Sequence, residues 1–151
     1  MKLLTLCFLQ QENQILLGMK KRGFGEGKWN AFGGKLKENE SIEEAMKREV
    51  FEECGVKILS FKKVGIVWET HPTWSDTLEI HIFTSHEFSG IPHESEEMLP
   101  KWFINLPYDS MWEGDCLWIP KMLSGEKLNL FIELDNNNKV KTYVDKTRFV
   151  E

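Results

Sequence analysis

Cysteine is scarce: Cys7, Cys54 and Cys116 are the only three, at unrelated spacings and with no CxxC pair. That odd, scattered set excludes a disulfide framework and offers no zinc pattern, so reduced thiols in a cytoplasmic protein are expected. Basic charge is also in deficit, with 19 Lys and Arg against 24 Asp and Glu and a formal net charge of -5. Only Lys20, Lys21 and Arg22 cluster. Nucleic acid and anionic membranes both need a basic surface to neutralise phosphate, so neither is an expected partner. Long apolar runs are missing too. Met1 to Leu9 is apolar after Lys2, but it is short, lacks a small-residue cleavage site and meets Gln10, Gln11 and Glu12 at once, which fits a strand better than a leader. The four histidines, His71, His81, His86 and His93, form no metal spacing.

What is present suits one domain. A chain of 151 residues, 41% of them hydrophobic, can bury a core of its own, and one domain over 1–151 with one active site is expected. Leu3 to Leu9 and Ile15 to Lys20 read as paired strands around a polar tip, followed by glycines at 23, 25 and 27. Trp29 to Phe32 reads as a short extended piece ending at Gly33 and Gly34, where the chain turns sharply or approaches something closely. A helix follows, with Ser41 as N-cap, Glu44 completing a capping box and Gly55 as its stop. Strands are expected over Ile58 to Trp68, Leu78 to Phe83 and Met98 to Ile104, with Pro72 between the first two. A helix is expected over Asp109 to Leu123, then a strand pair, Leu128 to Leu134 with Val140 to Val144, across the Asp135 to Asn138 turn. One mixed sheet with helices packed on it accounts for this order, and there are no internal repeats.

The first helix carries an anomaly. Ile42, Ala45 and Met46 form its inward stripe, and the stripe continues into Glu49 and Glu53 with Glu52 beside them. Glu52 has Arg48 four positions back, whereas Glu49 and Glu53 have only each other and apolar neighbours along the helix. Unpaired carboxylates this close take up protons unless a cation sits among them. Hard oxygen ligands favour Mg²⁺, or Mn²⁺, and Mg²⁺ shares its remaining positions with water and substrate phosphates.

Gly34, Glu40, Arg48, Glu49, Val50, Glu52, Glu53, Gly55 and Val56 stand at the spacing GX5EX7REUXEEXGU, where U is bulky and apolar. By this pattern, filled at every defined position, the chain resembles the Nudix hydrolases. The resemblance implies an α+β fold, an α/β/α sandwich around a mixed β-sheet with the signature on a loop and helix. It implies Glu49, Glu52, Glu53 and Glu97 as metal ligands with a Gly33 carbonyl, Arg48 as the residue that holds the glutamates, and Glu53 or Glu97 as proton acceptor.

The stretches LLGMKKRGFGEGKWNAFGGK and ESEEM, Trp102 with Phe103, and the Met111 to Trp118 segment extend the likeness to the animal branch that hydrolyses oxidised purine nucleoside triphosphates. That branch releases monophosphate and pyrophosphate. Its nucleotide pocket is implied at Thr5, Lys20, Asn30, Phe32, Gly33, Gly34, Lys35, Met98, Trp112 and Asp115, with Leu6, Phe24, Trp68 and Leu78 near it. Trp112 and Met98 suit the two sides of a flat purine slot, Asn30 offers donor and acceptor, and Asp115 in an apolar pocket would be neutral and able to donate. The branch has two adjacent aspartates after its Trp-Pro pair. Here Trp112 is followed by Glu113, Gly114 and Asp115, so the first is missing and a narrower or shifted substrate range is implied. A monomer acting on a small nucleoside triphosphate is expected; a Nudix enzyme for a dinucleotide or nucleotide sugar, and a nucleotide-binding module without turnover, are the alternatives.

Overall fold

The computed structural model describes residues 1–146; the last five residues of the expected domain lie outside the described residues. Eight strands form one mixed sheet: β1 (Lys2–Gln11), β2 (Gln14–Lys20), β3 (Trp29–Asn30), β4 (Lys57–Thr70), β5 (Leu78–Ser89), β6 (Met98–Phe103), β7 (Leu128–Leu134) and β8 (Val140–Asp145). The order is β3-β2-β1-β5-β4-β7-β8, with β6 on the free side of β2. The pairs β1–β5 and β4–β7 run parallel and the others antiparallel.

Strand alternation divides the apolar residues between the two faces. Cys7, Leu9 and Leu16 point to the side covered by α1 (Ile42–Cys54), against Met46, Val50 and Cys54. Phe8, Leu17, Val67 and Leu130 point to the side covered by α2 (Asp115–Leu123), against Trp118 and Ile119. The result is the expected helix–sheet–helix sandwich. No helix among the described residues is long and apolar enough to cross a membrane.

One departure from regular pairing positions everything that follows. β1 pairs with β2 only from Leu9 to Gln11, after which the two strands diverge. Residues 29–35 thread the gap: Trp29 and Asn30 pair with β2, while Phe32 and Lys35 bridge singly to Cys7 and Leu4 of β1. The expected extended piece over Trp29 to Phe32 is therefore a two-residue strand, because its partner changes at Ala31.

α1 begins as its sequence dictates. The Glu44 backbone N–H donates to the Ser41 hydroxyl at 3.1 Å and the Ser41 N–H donates to the Glu44 carboxylate at 3.0 Å. It stops at Gly55, whose φ of 76° is the left-handed conformation that glycine adopts most cheaply. The single helix expected over Asp109 to Leu123 is instead a 3-10 turn at Tyr108–Ser110, an irregular stretch through Met111 and Trp112, and then α2. Gly114 costs a helix interior about 1 kcal/mol, and here it is the N-cap of the second piece, with Leu117 N–H donating to its carbonyl at 3.0 Å.

Candidate active site

Gly33 and Gly34 are where the threaded loop touches both β1 and α1. A Cβ on Gly33 would lie 1.7 Å from the Thr5 carbonyl oxygen, so no larger residue fits. A Cβ on Gly34 would come within 2.6 Å of the Glu49 carboxyl carbon. Thr5 N–H donates to the Gly34 carbonyl at 2.9 Å, and Gly33 N–H donates to Glu53 Oε1 at 2.9 Å. The loop is thereby fastened to the strand on one side and to the helix acids on the other, with the Gly34 carbonyl engaged in the first of these contacts.

Glu53, the residue that ends the acidic stripe, is 5% exposed. Burial, with the negative charges of Glu49 and Glu97 adding to it, raises its pKa to about 8, against the opposing hydrogen bond from Gly33 and the charge of Lys20. Burial also raises Glu49, with Glu52 and Glu97 adding and Arg48 opposing. Glu49 is not without a cation, as its helix neighbours suggested: Arg48 Nη1 donates to Glu49 at 2.7 Å and to Glu52 at 3.2 Å. The reach comes from the fork geometry of the guanidinium, which serves an adjacent residue as well as the one four positions on. Its other nitrogens hold Glu40 and the Lys35 carbonyl. Glu97 stands on the segment entering β6, where its carbonyl accepts from Lys21 N–H at 2.8 Å.

Among the described residues, no three His, Cys, Asp or Glu side chains form a ready coordination shell. The chemistry of the donor set nevertheless fits a divalent cation. Four carboxylates act on one another electrostatically, and the most buried of them is driven toward its neutral form in the ion-free arrangement. A hard cation among Glu49, Glu52, Glu53 and Glu97 removes the repulsion that drives that protonation.

A pocket lined by Glu53 and the glycine pair extends past Leu4, Thr5 and Leu6 of β1 to Trp112 and Asp115. Thr5, Leu6, Lys20, Phe24, Asn30, Leu78, Met98, Trp112 and Asp115 all line it, as do Gly33 and Gly34. The Thr5 hydroxyl lies 3.4 Å from both the nitrogen and the carbonyl oxygen of Gly34. The Asn30 side-chain oxygen accepts from Ala31 N–H at 2.8 Å, which fixes its amide plane. The Phe24 ring stacks on Trp112 at 5.1 Å between centroids and meets Trp74 edge-on at 5.8 Å. Asp115, at the first turn of α2, is 7% exposed and its Oδ2 is buried without a hydrogen-bond partner. Burial, with the charge of Glu69 adding to it, raises the Asp115 pKa well above the usual carboxylate range. Its burial thus favours the neutral form, which can donate.

Three residues expected at or near the pocket, Phe32, Lys35 and Trp68, are not among those that line it. Phe32 is fully buried among Cys7, Leu16 and Met46, in the α1-side core, because its β1 bridge turns the ring away from the pocket. Trp68 lies on the opposite face of β4 from Val67; its Nε1 donates to Glu79 at 3.3 Å and the Lys146 ammonium covers its ring at 4.8 Å. Lys35 contributes its carbonyl to Arg48. Conversely, Glu69 and Trp74 line the pocket without having been singled out in the sequence. The only signal for Glu69 is its place two residues after inward Val67.

The geometry has counterparts among known proteins. The family model described as NUDIX domain matches residues 3–110. The chain is 44% identical over 128 residues to the oxidized purine nucleoside triphosphate hydrolase of Danio rerio, covering 83% of this chain and 82% of that protein. It is 38% identical over 144 residues to the protein of the same name from Mus musculus, covering 94% and 92%. Among solved structures, the MutT protein of Bacillus halodurans superposes with a TM-score of 0.80 at 24% identity, covering 95% of this chain and 97% of that one, which speaks for the fold. With the signature loop seated on its helix and these matches spanning most of its length, the chain belongs to the Nudix hydrolase family.

Proposed function

We propose that this protein hydrolyses oxidised or otherwise modified purine nucleoside triphosphates, 8-oxo-dGTP-like and 2-oxo-dATP-like, to the nucleoside monophosphate and pyrophosphate, and so clears them from the nucleotide pool. The observation that carries the reading is one continuous pocket with two chemically distinct ends. Glu53 and the Gly33–Gly34 backbone stand at one end, and Phe24, Trp74, Trp112 and Asp115 at the other. A triphosphate with a flat base needs that combination. The two vertebrate relatives named for oxidized purine nucleoside triphosphate hydrolysis support the choice of substrate.

In this reading Glu49, Glu52, Glu53, Glu97 and the Gly33 carbonyl would hold Mg²⁺, with Mn²⁺ as substitute, which would neutralise polyphosphate charge and activate water for attack. Arg48 keeps Glu49 and Glu52 in place, Glu53 or Glu97 accepts the water's proton, and Lys20 brings a positive charge to the pocket. Trp112 and Phe24 exclude water from the base, and Asn30 and Asp115 read its edge. The enzyme acts as a one-domain monomer on free nucleotides of the cytoplasm. The test is a panel of ordinary, oxidised and methylated nucleoside triphosphates with Mg²⁺, scoring kcat/KM and the product. Pyrophosphate with a preference for oxidised purines is the expected result; release of single phosphate, or no preference among bases, overturns it.

A further inference from the structure

We propose that Glu69 is a specificity-determining residue of this pocket, forming with Asp115 a pair of carboxyls that reads the purine edge and favours rings carrying a 2-amino group beside a ring N–H. The inference rests on the nucleotide reading of the pocket and adds to it the part of the base that is recognised.

Glu69 lies on the face of β4 that carries Val67, the face packed by α2. Its partners across the sheet are Leu78 of β5 and Ile132 of β7, both apolar. Its carboxyl has no hydrogen bond or ion pair among the described residues, yet it lines the same pocket as Asp115, and its charge acts on Asp115. An acid on the apolar face of a central strand costs stability unless it serves something that arrives later. Asp115 repeats the feature from the facing helix, with Oδ2 buried and unpartnered. Two uncommitted carboxyls are thus brought together by elements 46 positions apart in the chain, at the aromatic end of the pocket. The other charged groups lining this pocket are Lys20 of β2, Lys28 of the loop before β3 and Glu53 of α1, while Tyr108 and Cys116 lie on the segment that carries Asp115.

Hydrogen-bond counting gives the preference. A carboxylate only accepts, whereas a neutral acid donates once and accepts through its other oxygen. The pair holding one proton therefore presents one donor with several acceptors. A guanine-type edge is the complement, since its carbonyl oxygen accepts while its ring N–H and 2-amino group donate. For a ring lacking the 2-amino group Asp115 alone satisfies both remaining positions, and Glu69 is left desolvated and unpaired. Burial raises Glu69 to about 7, so the pair gains its second proton just below neutrality and the preference weakens there.

The experiment measures metal-free binding of 8-oxo-dGMP and 8-oxo-dIMP by quenching of tryptophan fluorescence, from about pH 6 to about pH 9, in wild type, Glu69→Gln and Glu69→Leu. Wild type is expected to prefer the guanine form about tenfold above neutrality, with the preference shrinking several-fold toward acid pH. Glu69→Leu should bring it to within about threefold, and Glu69→Gln should remove its pH dependence. A wild-type preference retained by Glu69→Leu, a preference flat with pH in wild type, or a slope surviving in Glu69→Gln overturns the proposal. Glu69→Gln conserves size, so its slope decides the matter even if the leucine variant does not fold. Because binding is read without turnover, failure of the hydrolysis proposal appears separately, as wild type that binds but releases no monophosphate.

Discussion

Arg48 grips Glu40 with two nitrogens, Nε at 2.6 Å and Nη2 at 3.0 Å, and so ties α1 to the loop that precedes it. The pairing, together with the Lys37 N–H, draws the Glu40 pKa down to about 2 and raises that of Arg48. The remaining nitrogen is left for Glu49 and Glu52. Lysine is a point charge that cannot make these contacts together. Arg48→Lys is therefore expected to raise the Mg²⁺ concentration needed for half-maximal turnover by about 10–100-fold, as loss of a group orienting metal ligands does. Metal-free nucleotide binding should stay near wild type. A Mg²⁺ titration identical to wild type would show that Arg48 positions nothing.

Glu53→Gln separates the acid's charge from its shape. The amide oxygen can still accept from Gly33 N–H, the contact that measures 2.9 Å, so the loop stays fastened. A buried neutral group replaces one already driven toward neutrality, and folding is preserved. The expected outcome is a kcat lower by about 10²–10⁴, with metal-free binding of monophosphate little changed. Full turnover in this variant, or in wild type after thorough chelation, would remove Glu53 from the chemistry.

The parts of the site that the sequence discloses are those built locally. Ser41, Glu44, Gly55 and the acids between them lie within one helix, so capping rules and helical periodicity find them. The helix expected over Asp109 to Leu123 breaks at Met111 and Trp112, where the chain turns Trp112 into the pocket against the helical spacing, and resumes after Gly114. Glu69 is hidden for a different reason. β4 carries register shifts between Ile58 and Ser60, Ser60 and Lys62, and Lys63 and Gly65. Each shift breaks the inward–outward alternation, so the phase read at Ile58 cannot be carried to Glu69. Likeness to relatives implied Phe32 and Trp68 at or near the pocket, but which face each ring occupies depends on strand pairing, which no local pattern discloses.

Gly33→Ala tests the fastening of the loop. The added methyl meets a backbone carbonyl at 1.7 Å, and backbone cannot swing aside as a flexible side chain can. The loop must retreat from β1, and the Gly33–Glu53 contact goes with it. Chemical denaturation should show a loss of about 2–3 kcal/mol or more, with kcat/KM falling further than the folded fraction does. Wild-type stability would mean that residues 29–35 are not held between β1 and β2 as described.

The pH dependence of stability follows from the same acids, with signs that differ by site. Asp115 and Glu69 have raised pKa values, so the folded protein binds more protons than the unfolded chain. Their contribution is fully present below the ordinary carboxylate pKa and is lost as pH rises, for Glu69 through about 7. Glu53 acts in the same direction, through about 8. Glu40 acts oppositely: its stabilisation is present above its ordinary pKa and is lost as pH falls toward about 2. The metal-free protein should therefore show its highest Tm near the ordinary carboxylate pKa of about 4.5, with Tm falling from there toward neutrality. Glu69→Gln should leave Tm unchanged at about pH 4 and raise it increasingly toward neutrality, by a few degrees above about pH 7, because the amide has no charge to bury. The comparison cancels the contributions of Glu53 and Glu40, which both proteins share. A Tm difference that is constant with pH would mean that Glu69 ionises as freely in the fold as in the unfolded chain.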